Sequence, residues 1–140
     1  MPELAIHAAQ RLMALGGDAN VAREWLVPVW ERQHQLADSV KIKLVCALEE
    51  GLDSLDATWL ARIEAAQKAN PRDATLQYLA GMACMKRQLW GKAQQLLTQA
   101  ALLLHDARLH RNAWRALAEL AEQREDASAA ALAWKRAAGE

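Results

Sequence analysis

The chain has 140 residues, which is enough for one domain with a buried core. Its 17 Lys and Arg residues balance 17 Asp and Glu residues. This argues against a nucleic-acid binder or a polybasic membrane-surface domain, because both need surplus positive charge. The chain contains 31 Ala and 22 Leu but only 8 Val plus Ile and no Phe. Because Ala and Leu favour helices whereas β-branched and aromatic residues favour strands, the composition predicts an all-α fold.

Aspartates that precede apolar stretches predict where the helices begin, since a short side-chain oxygen accepts a hydrogen bond from a first-turn N–H. They occur at positions 18, 38, 56, 73, 106 and 126. The gap of 33 residues between positions 73 and 106 is interpreted as two intervals with one cap missing near Leu89. Each interval then holds one helix and a turn. This predicts eight helices over roughly 3–15, 19–35, 38–50, 56–69, 73–86, 90–104, 107–123 and 127–138.

Proline and glycine mark the breaks in this pattern. Pro28 lies inside the second predicted helix, where it removes a backbone donor and clashes with the preceding turn, so we expect a kink or an early end there. Turn-forming residues cluster at Gly16-Gly17, 51–54, Asn70-Pro71 and 123–126.

The sequence also carries signals about compartment. Cys46 and Cys84 lie far apart in apolar helical stretches, which is typical of buried thiols in a reducing compartment. No apolar run approaches the ~20 residues that span a bilayer, and the N-terminus lacks the pattern of a signal peptide. We therefore expect a cytoplasmic domain.

Small and large apolar residues recur with a period typical of helical repeats. Trp59 aligns with Ala93 at an offset of 34 residues, and Ala93 aligns with Ala130 at an offset of 37. Small residues, notably Gly81 and Ala118, fall where two helices must approach closely.

This pattern resembles the tetratricopeptide repeat. The third predicted helix pair supplies residues at the family's spacing: Gly81, Ala93, Leu97 and Ala100. The fourth pair supplies six more: Trp114, Leu117, Ala118, Ala130, Trp134 and Ala137. Residues 56–138 carry the resemblance clearly and 1–55 weakly. It implies a single helical-repeat domain over 1–140, a right-handed superhelix of about four antiparallel helix pairs.

A narrower resemblance lies in residues 76–84 and in the segment Leu89-Trp90-Gly91-Lys92-Ala93. Both are similar to the C-terminal region of proteobacterial HemY proteins. That resemblance implies the cytoplasmic repeat portion of an inner-membrane protein associated with haem (porphyrin) biosynthesis, anchored through segments absent from this chain. An unrelated flavin-dependent oxidase shares the name. Such an enzyme needs a glycine-rich phosphate turn, and the six glycines here never form that spacing.

Groupings that suggest catalysis or metal binding are sparse. His105 and His110 are five residues apart, so they face different sides of a helix, whereas metal-binding pairs prefer three or four. The serines at 39, 54 and 128 lie near helix starts, where capping is their ordinary role. We expect no metal site, no cofactor and no enzymatic activity.

Two sets of residues are candidates for contacts with a partner. Tyr78, Met82, Met85 and Lys86 come from the predicted helix 73–86. In a tetratricopeptide-like stack the first helix of each pair lines the concave surface, where these side chains would contact a partner. The alternative is packing in the core or between repeats.

The second set is a charged ridge on the predicted helix 107–123. Its residues are spaced by 3, 4, 4 and 3 positions: Arg108, Arg111, Arg115, Glu119 and Glu122. Positive charge at the helix start and negative charge at its end is the unfavourable order for the helix dipole, so local helix stability does not explain the pattern. The ridge is either a solvated face or a bipolar wall that orients a charged peptide or a neighbouring subunit.

The leading interpretation is a non-catalytic protein-interaction scaffold with a protein or peptide partner on the concave face and no nucleic-acid partner. One alternative is a domain that binds or hands over haem or another tetrapyrrole. It is suggested by the HemY resemblance together with Tyr78, Met82, Met85 and the histidines at 7, 34, 105 and 110. Another is self-association into a homo-oligomer through the Ala-rich final helix and Trp134, because uncovered terminal repeats associate readily.

Overall fold

The computed structural model describes residues 1–139, and this part of the chain contains eight α-helices and no strand. In chain order they are α1 (Pro2–Ala14), α2 (Ala19–Glu31), α3 (Asp38–Glu50), α4 (Ala57–Ala69), α5 (Ala74–Lys86), α6 (Trp90–Leu103), α7 (Ala107–Gln123) and α8 (Ala127–Ala137). Short 3₁₀ helices, Gln33–Gln35 and Leu52–Ser54, follow α2 and α3. The predicted all-α class is confirmed.

The largest difference from the predicted boundaries is at the end of α2. The helix continues for three residues beyond Pro28 and ends at Glu31, and the chain then turns through the 3₁₀ segment Gln33–Gln35. The proline ring has no N–H to donate back along the helix, which weakens the ladder in its last turns. The helix therefore ends four residues earlier than predicted, although not at Pro28 itself, and a kink at Pro28 stays a prediction.

Five of the six predicted aspartate caps are present. Their carboxylates accept hydrogen bonds from first-turn N–H groups at 2.8 to 3.2 Å: Asp18, Asp56, Asp73, Asp106 and Asp126. Asp38 was wrongly predicted as a cap, because Ala37 takes the cap position and Asp38 becomes the first helical residue of α3. Leu89 precedes α6 and provides no side-chain cap, as the gap between the aspartates at 73 and 106 predicted.

Three helix pairs, α1/α2, α5/α6 and α7/α8, are joined by the same kind of turn. Each contains one residue in the left-handed region: Gly16 (φ 79°), Gln88 (φ 61°) and Glu125 (φ 58°). In each turn the N–H that follows this residue donates to the carbonyl five residues back, at 2.8 to 2.9 Å. This bond satisfies a carbonyl that the end of the helix leaves free. The α1/α2 turn is one residue longer before the next cap.

Contacts between Cα atoms divide the chain into two compact units, with the division after Leu60, inside α4. In the first unit α1 packs against α2 and α3. In the second unit α5 packs on α6, α7 contacts both of them, and α8 packs on α7. The second unit therefore contains two adjacent helical hairpins, α5/α6 and α7/α8.

The connection from α3 to α4 differs from the turns of the three pairs above. The 3₁₀ segment Leu52–Ser54 replaces the turn that joins the other pairs. Trp59 of α4 packs edge to face on Trp30 of α2, with ring centres 5.9 Å apart. A superhelix of four pairs stays a prediction.

A buried arginine organises the first unit. Arg23 of α2 is only 1% exposed. Its guanidinium donates to the carbonyl oxygens of Gly51, at 3.0 Å, and Ser54, at 2.7 Å. It also donates to the Ser54 hydroxyl and to the Asn20 side chain. These bonds hold the 3₁₀ segment after α3 against α2, and carbonyls at a helix C-terminus are a favourable place for a cation.

In the hairpin α5/α6, the two helices approach each other closely at Gly81 of α5. A Cβ at this position would lie 2.7 Å from Leu97 Cγ, a separation that real Cβ atoms do not show. The absence of a side chain therefore lets α6 approach α5, and the predicted close approach at Gly81 is confirmed.

Candidate protein-interaction surface

Helix α7 divides cleanly into a buried and an exposed side. It begins at the cap Asp106, whose carboxylate accepts from the Leu109 N–H at 3.0 Å. Leu109, Ala113 and Leu120 are buried. The opposite side carries the five charged residues of the predicted ridge, all of which are exposed. We call Arg108, Arg111, Arg115, Glu119 and Glu122 the α7 ridge.

Most side chains of the α7 ridge have no bonding partner within residues 1–139. Within residues 1–139, Arg108, Arg111, Arg115 and Glu119 form no side-chain hydrogen bond or ion pair. Glu122 is held differently, because its Oε1 accepts a hydrogen bond from the Trp134 indole N–H of α8 at 2.6 Å. The basic half of the ridge is therefore free to bind, and the acidic end is oriented by α8.

Aromatic contacts also fix α7 against α8. The Trp114 indole N–H donates to His110 Nε2 at 3.2 Å, and the two rings meet edge to face. The Arg136 guanidinium carbon lies 4.9 Å from the centre of the Trp114 ring, a cation–π distance. His110 thus already uses its Nε2 as an acceptor, whereas His105 is exposed next to the cap Asp106.

The predicted contact residues on α5 are not equally accessible. Tyr78 is fully buried, at 0% exposure, which corrects the expectation that its side chain is open to a partner. Most of α5 from Leu76 to Cys84 is buried too, so the alternative of core packing fits Tyr78. Met82 and Met85 are half-buried and Lys86 is exposed at the end of the helix. The placement of these residues and of the α7 ridge on a concave surface stays a prediction.

Cys46 and Cys84 are both buried, as predicted. Burial raises the pKa of the Cys84 thiol; nearby Glu64 raises it too, whereas Lys92 and Arg87 act in the opposite direction. Lys92 and Glu64 also form an ion pair at 3.4 Å. A thiol held protonated in this way is a poor nucleophile.

The first unit contains a groove that was not predicted from the sequence. It has a volume of about 470 Å³ and lies between the start of α1, the second half of α2 and the following 3₁₀ segment. Its lining is mostly apolar, including Trp25 and Pro28, with Arg32 and Gln35 as polar members. Trp25 and Pro28 of α2 and Arg32, the residue that follows the helix, are spaced by three and four positions, and this helical spacing is the signal that could have revealed the groove.

No group of three or more His, Cys, Asp or Glu side chains that could hold a metal ion occurs in residues 1–139. None of the described helices has the length and apolar character to cross a membrane. Comparison with family models, curated proteins and solved structures gives no match. The resemblance to tetratricopeptide repeats and to HemY proteins therefore stays a prediction.

Proposed function

We propose that this domain is a non-catalytic protein-interaction module of the tetratricopeptide type, which binds a protein segment on the α7 ridge. The observation that carries the proposal is the set of three exposed arginines, Arg108, Arg111 and Arg115, which have no partner within the described chain. They lie within about 10 Å along one helix face. Such a local surplus of positive charge attracts and orients a segment with acidic residues.

The order of charges along α7 supports a role in recognition. The first turn of α7 contains no acidic residue and its last turn no basic one. A charge at the unfavourable end of a helix costs about 0.3–1 kcal/mol. Because the ridge does not serve the stability of its own helix, recognition is the better explanation.

The packing of the second unit supports the same proposal. Stacked hairpins hold an outer helix face rigidly, since each hairpin buries its apolar side against its neighbour. Helix α7 contacts α5, α6 and α8, so its orientation is fixed from several sides. A fixed ridge loses little conformational entropy when a partner binds.

Site-specific photo-crosslinking tests the proposal. A photoreactive amino acid at Arg111 should form adducts with a partner in cells, and the same group at Thr98, an exposed position on α6, should not. Charge reversal at Arg108 and Arg115 should abolish the Arg111 adduct without loss of helical content. Equal adducts at Thr98, or adducts that survive the reversal, would contradict a role for the α7 ridge.

The HemY resemblance leads us to propose the cytoplasmic face of an inner membrane as the place of this interaction, and co-fractionation of the adducts with membranes tests it. A second candidate function is self-association through α8, favoured by Leu132 and Trp134, which are 53% and 39% exposed. Loss of oligomers in the variant Leu132→Ser would support it. For the tetrapyrrole alternative, a haemin titration with the spectrum of free haemin throughout would exclude binding.

A further inference from the structure

The charges of the α7 ridge have a symmetry of their own. Arg108 and Glu122 lie seven residues on either side of Arg115, and Arg111 and Glu119 lie four residues on either side. A half-turn about an axis through Arg115, perpendicular to the helix, therefore exchanges each flanking arginine with a glutamate. We propose that the partner of the α7 ridge is a second copy of this chain, docked antiparallel about that axis. This inference rests on the proposed function of the ridge.

The helix geometry fits such a pairing. At 1.5 Å of rise per residue, Arg111 and Glu119 are about 12 Å apart along α7, and Arg108 and Glu122 about 21 Å. In an antiparallel pair, Arg111 stands level with Glu119 of the second copy, and Arg108 with Glu122 of the second copy. Because a two-fold interface uses the same patch on both chains, each pairing occurs twice and four ion pairs form.

The individual side chains are suited to this arrangement. Glu122 Oε1 already accepts a hydrogen bond from the Trp134 indole N–H. This bond orients the carboxylate and leaves Oε2 available to an arginine. The two Arg115 side chains meet at the axis, where planar guanidinium groups stack and where Glu119, one turn along, supplies negative charge. Each ridge keeps one unmatched positive charge, which makes the dimer weak.

A second copy explains more of the pattern than a foreign acidic peptide does. Three arginines alone would bind an acidic peptide, and the two glutamates would then repel it. In the antiparallel dimer both glutamates are used, at spacings that mirror those of the arginines. Exposed ion pairs are individually weak and screened by salt, so self-association should be weak and strongly salt-dependent.

Sedimentation equilibrium of the full chain, at up to about 1 mM protein, tests the inference at low and high ionic strength. Dimers should form at about 20 mM salt and be lost at about 500 mM. Arg111→Glu and Glu119→Arg should each weaken the dimer about tenfold, because each variant places like charges opposite each other twice. The double variant Arg111→Glu/Glu119→Arg should restore the dissociation constant to within about threefold, since opposite charges face each other again. Leu132→Ser on α8 is the matched control and should have no effect.

A chain that stays monomeric at low salt, or a double variant that fails to recover, would overturn the second-copy inference. Loss of dimers in Leu132→Ser alone would overturn it in favour of α8. Crosslinking of a different protein at Arg111, with a monomeric chain, would overturn this inference and leave the proposed function standing. Absence of both dimers and adducts would overturn both.

Discussion

Replacing Gly81 by alanine tests whether α5 and α6 depend on their close approach. The added Cβ would lie 2.7 Å from Leu97 Cγ and 2.9 Å from Leu97 Cδ2, so Leu97 or α6 must move. Overpacking by one methyl group costs about 1–3 kcal/mol, whereas alanine in place of a helical glycine gains about 1 kcal/mol. We therefore expect Gly81→Ala to lower the free energy of unfolding by up to about 2 kcal/mol.

Gly91 provides a matched control. It also lies in a helix, α6, and a Cβ there would meet nothing within 4 Å. Gly91→Ala should therefore keep only the gain in helix propensity and raise the free energy of unfolding by up to about 1 kcal/mol. The difference between the two variants isolates the steric cost of the α5/α6 crossing, about 1–3 kcal/mol.

Urea unfolding of both variants measures these differences, provided that the m-values stay unchanged. In a Leu97→Ala background the steric conflict is gone, so Gly81→Ala should become neutral or stabilising there. Equal stabilities of Gly81→Ala and Gly91→Ala in the parent background would refute the reasoning, because they would show that the crossing has room for a methyl group.

Four further predictions follow from the fold. Glu125→Gly should raise the free energy of unfolding by up to about 1 kcal/mol, because φ of 58° strains a residue with a Cβ; a lowered melting temperature would contradict this. Asp126→Ala removes a helix cap and should lower the free energy of unfolding by about 1 kcal/mol, whereas Asp38→Ala should lower it by less than about 0.5 kcal/mol. Thermal melts of the two variants, run in parallel, measure the difference. Arg23→Met should lower the free energy of unfolding by about 2–4 kcal/mol, because the buried carbonyl oxygens of Gly51 and Ser54 lose their hydrogen-bond donor. Urea unfolding measures this, and an unchanged midpoint would argue against a structural role for the Arg23 guanidinium. The raised pKa of Cys84 keeps its thiol protonated through neutral pH, so iodoacetamide should react slowly until urea unfolds the chain.

The helices could be predicted from the sequence because their signals are local. An aspartate that caps a helix lies within three residues of the N–H that it accepts from, and the charged ridge follows from the 3.6-residue period alone. Where a neighbouring residue competes for the same role, local signals fail. Asp38 looks like a cap, but Ala37 adopts the extended backbone that precedes α3.

Features that depend on distant parts of the chain could not be predicted in this way. The burial of Tyr78 depends on what packs around α5, and the spacing along one helix does not contain that information. Arg23 looks like any helical arginine until the segment 51–54 is brought next to it. The left-handed backbone at Gln88 and Glu125 has no glycine to reveal it, since neither residue favours that region.

The turn that recurs in α1/α2, α5/α6 and α7/α8 is set by one left-handed residue and one main-chain bond, and its side chains differ in all three places. A connector that depends so little on sequence can be transplanted. An engineered chain could receive another hairpin after α8 through the same short linker, with glycine at the left-handed position, and become longer without any redesign of its existing helices.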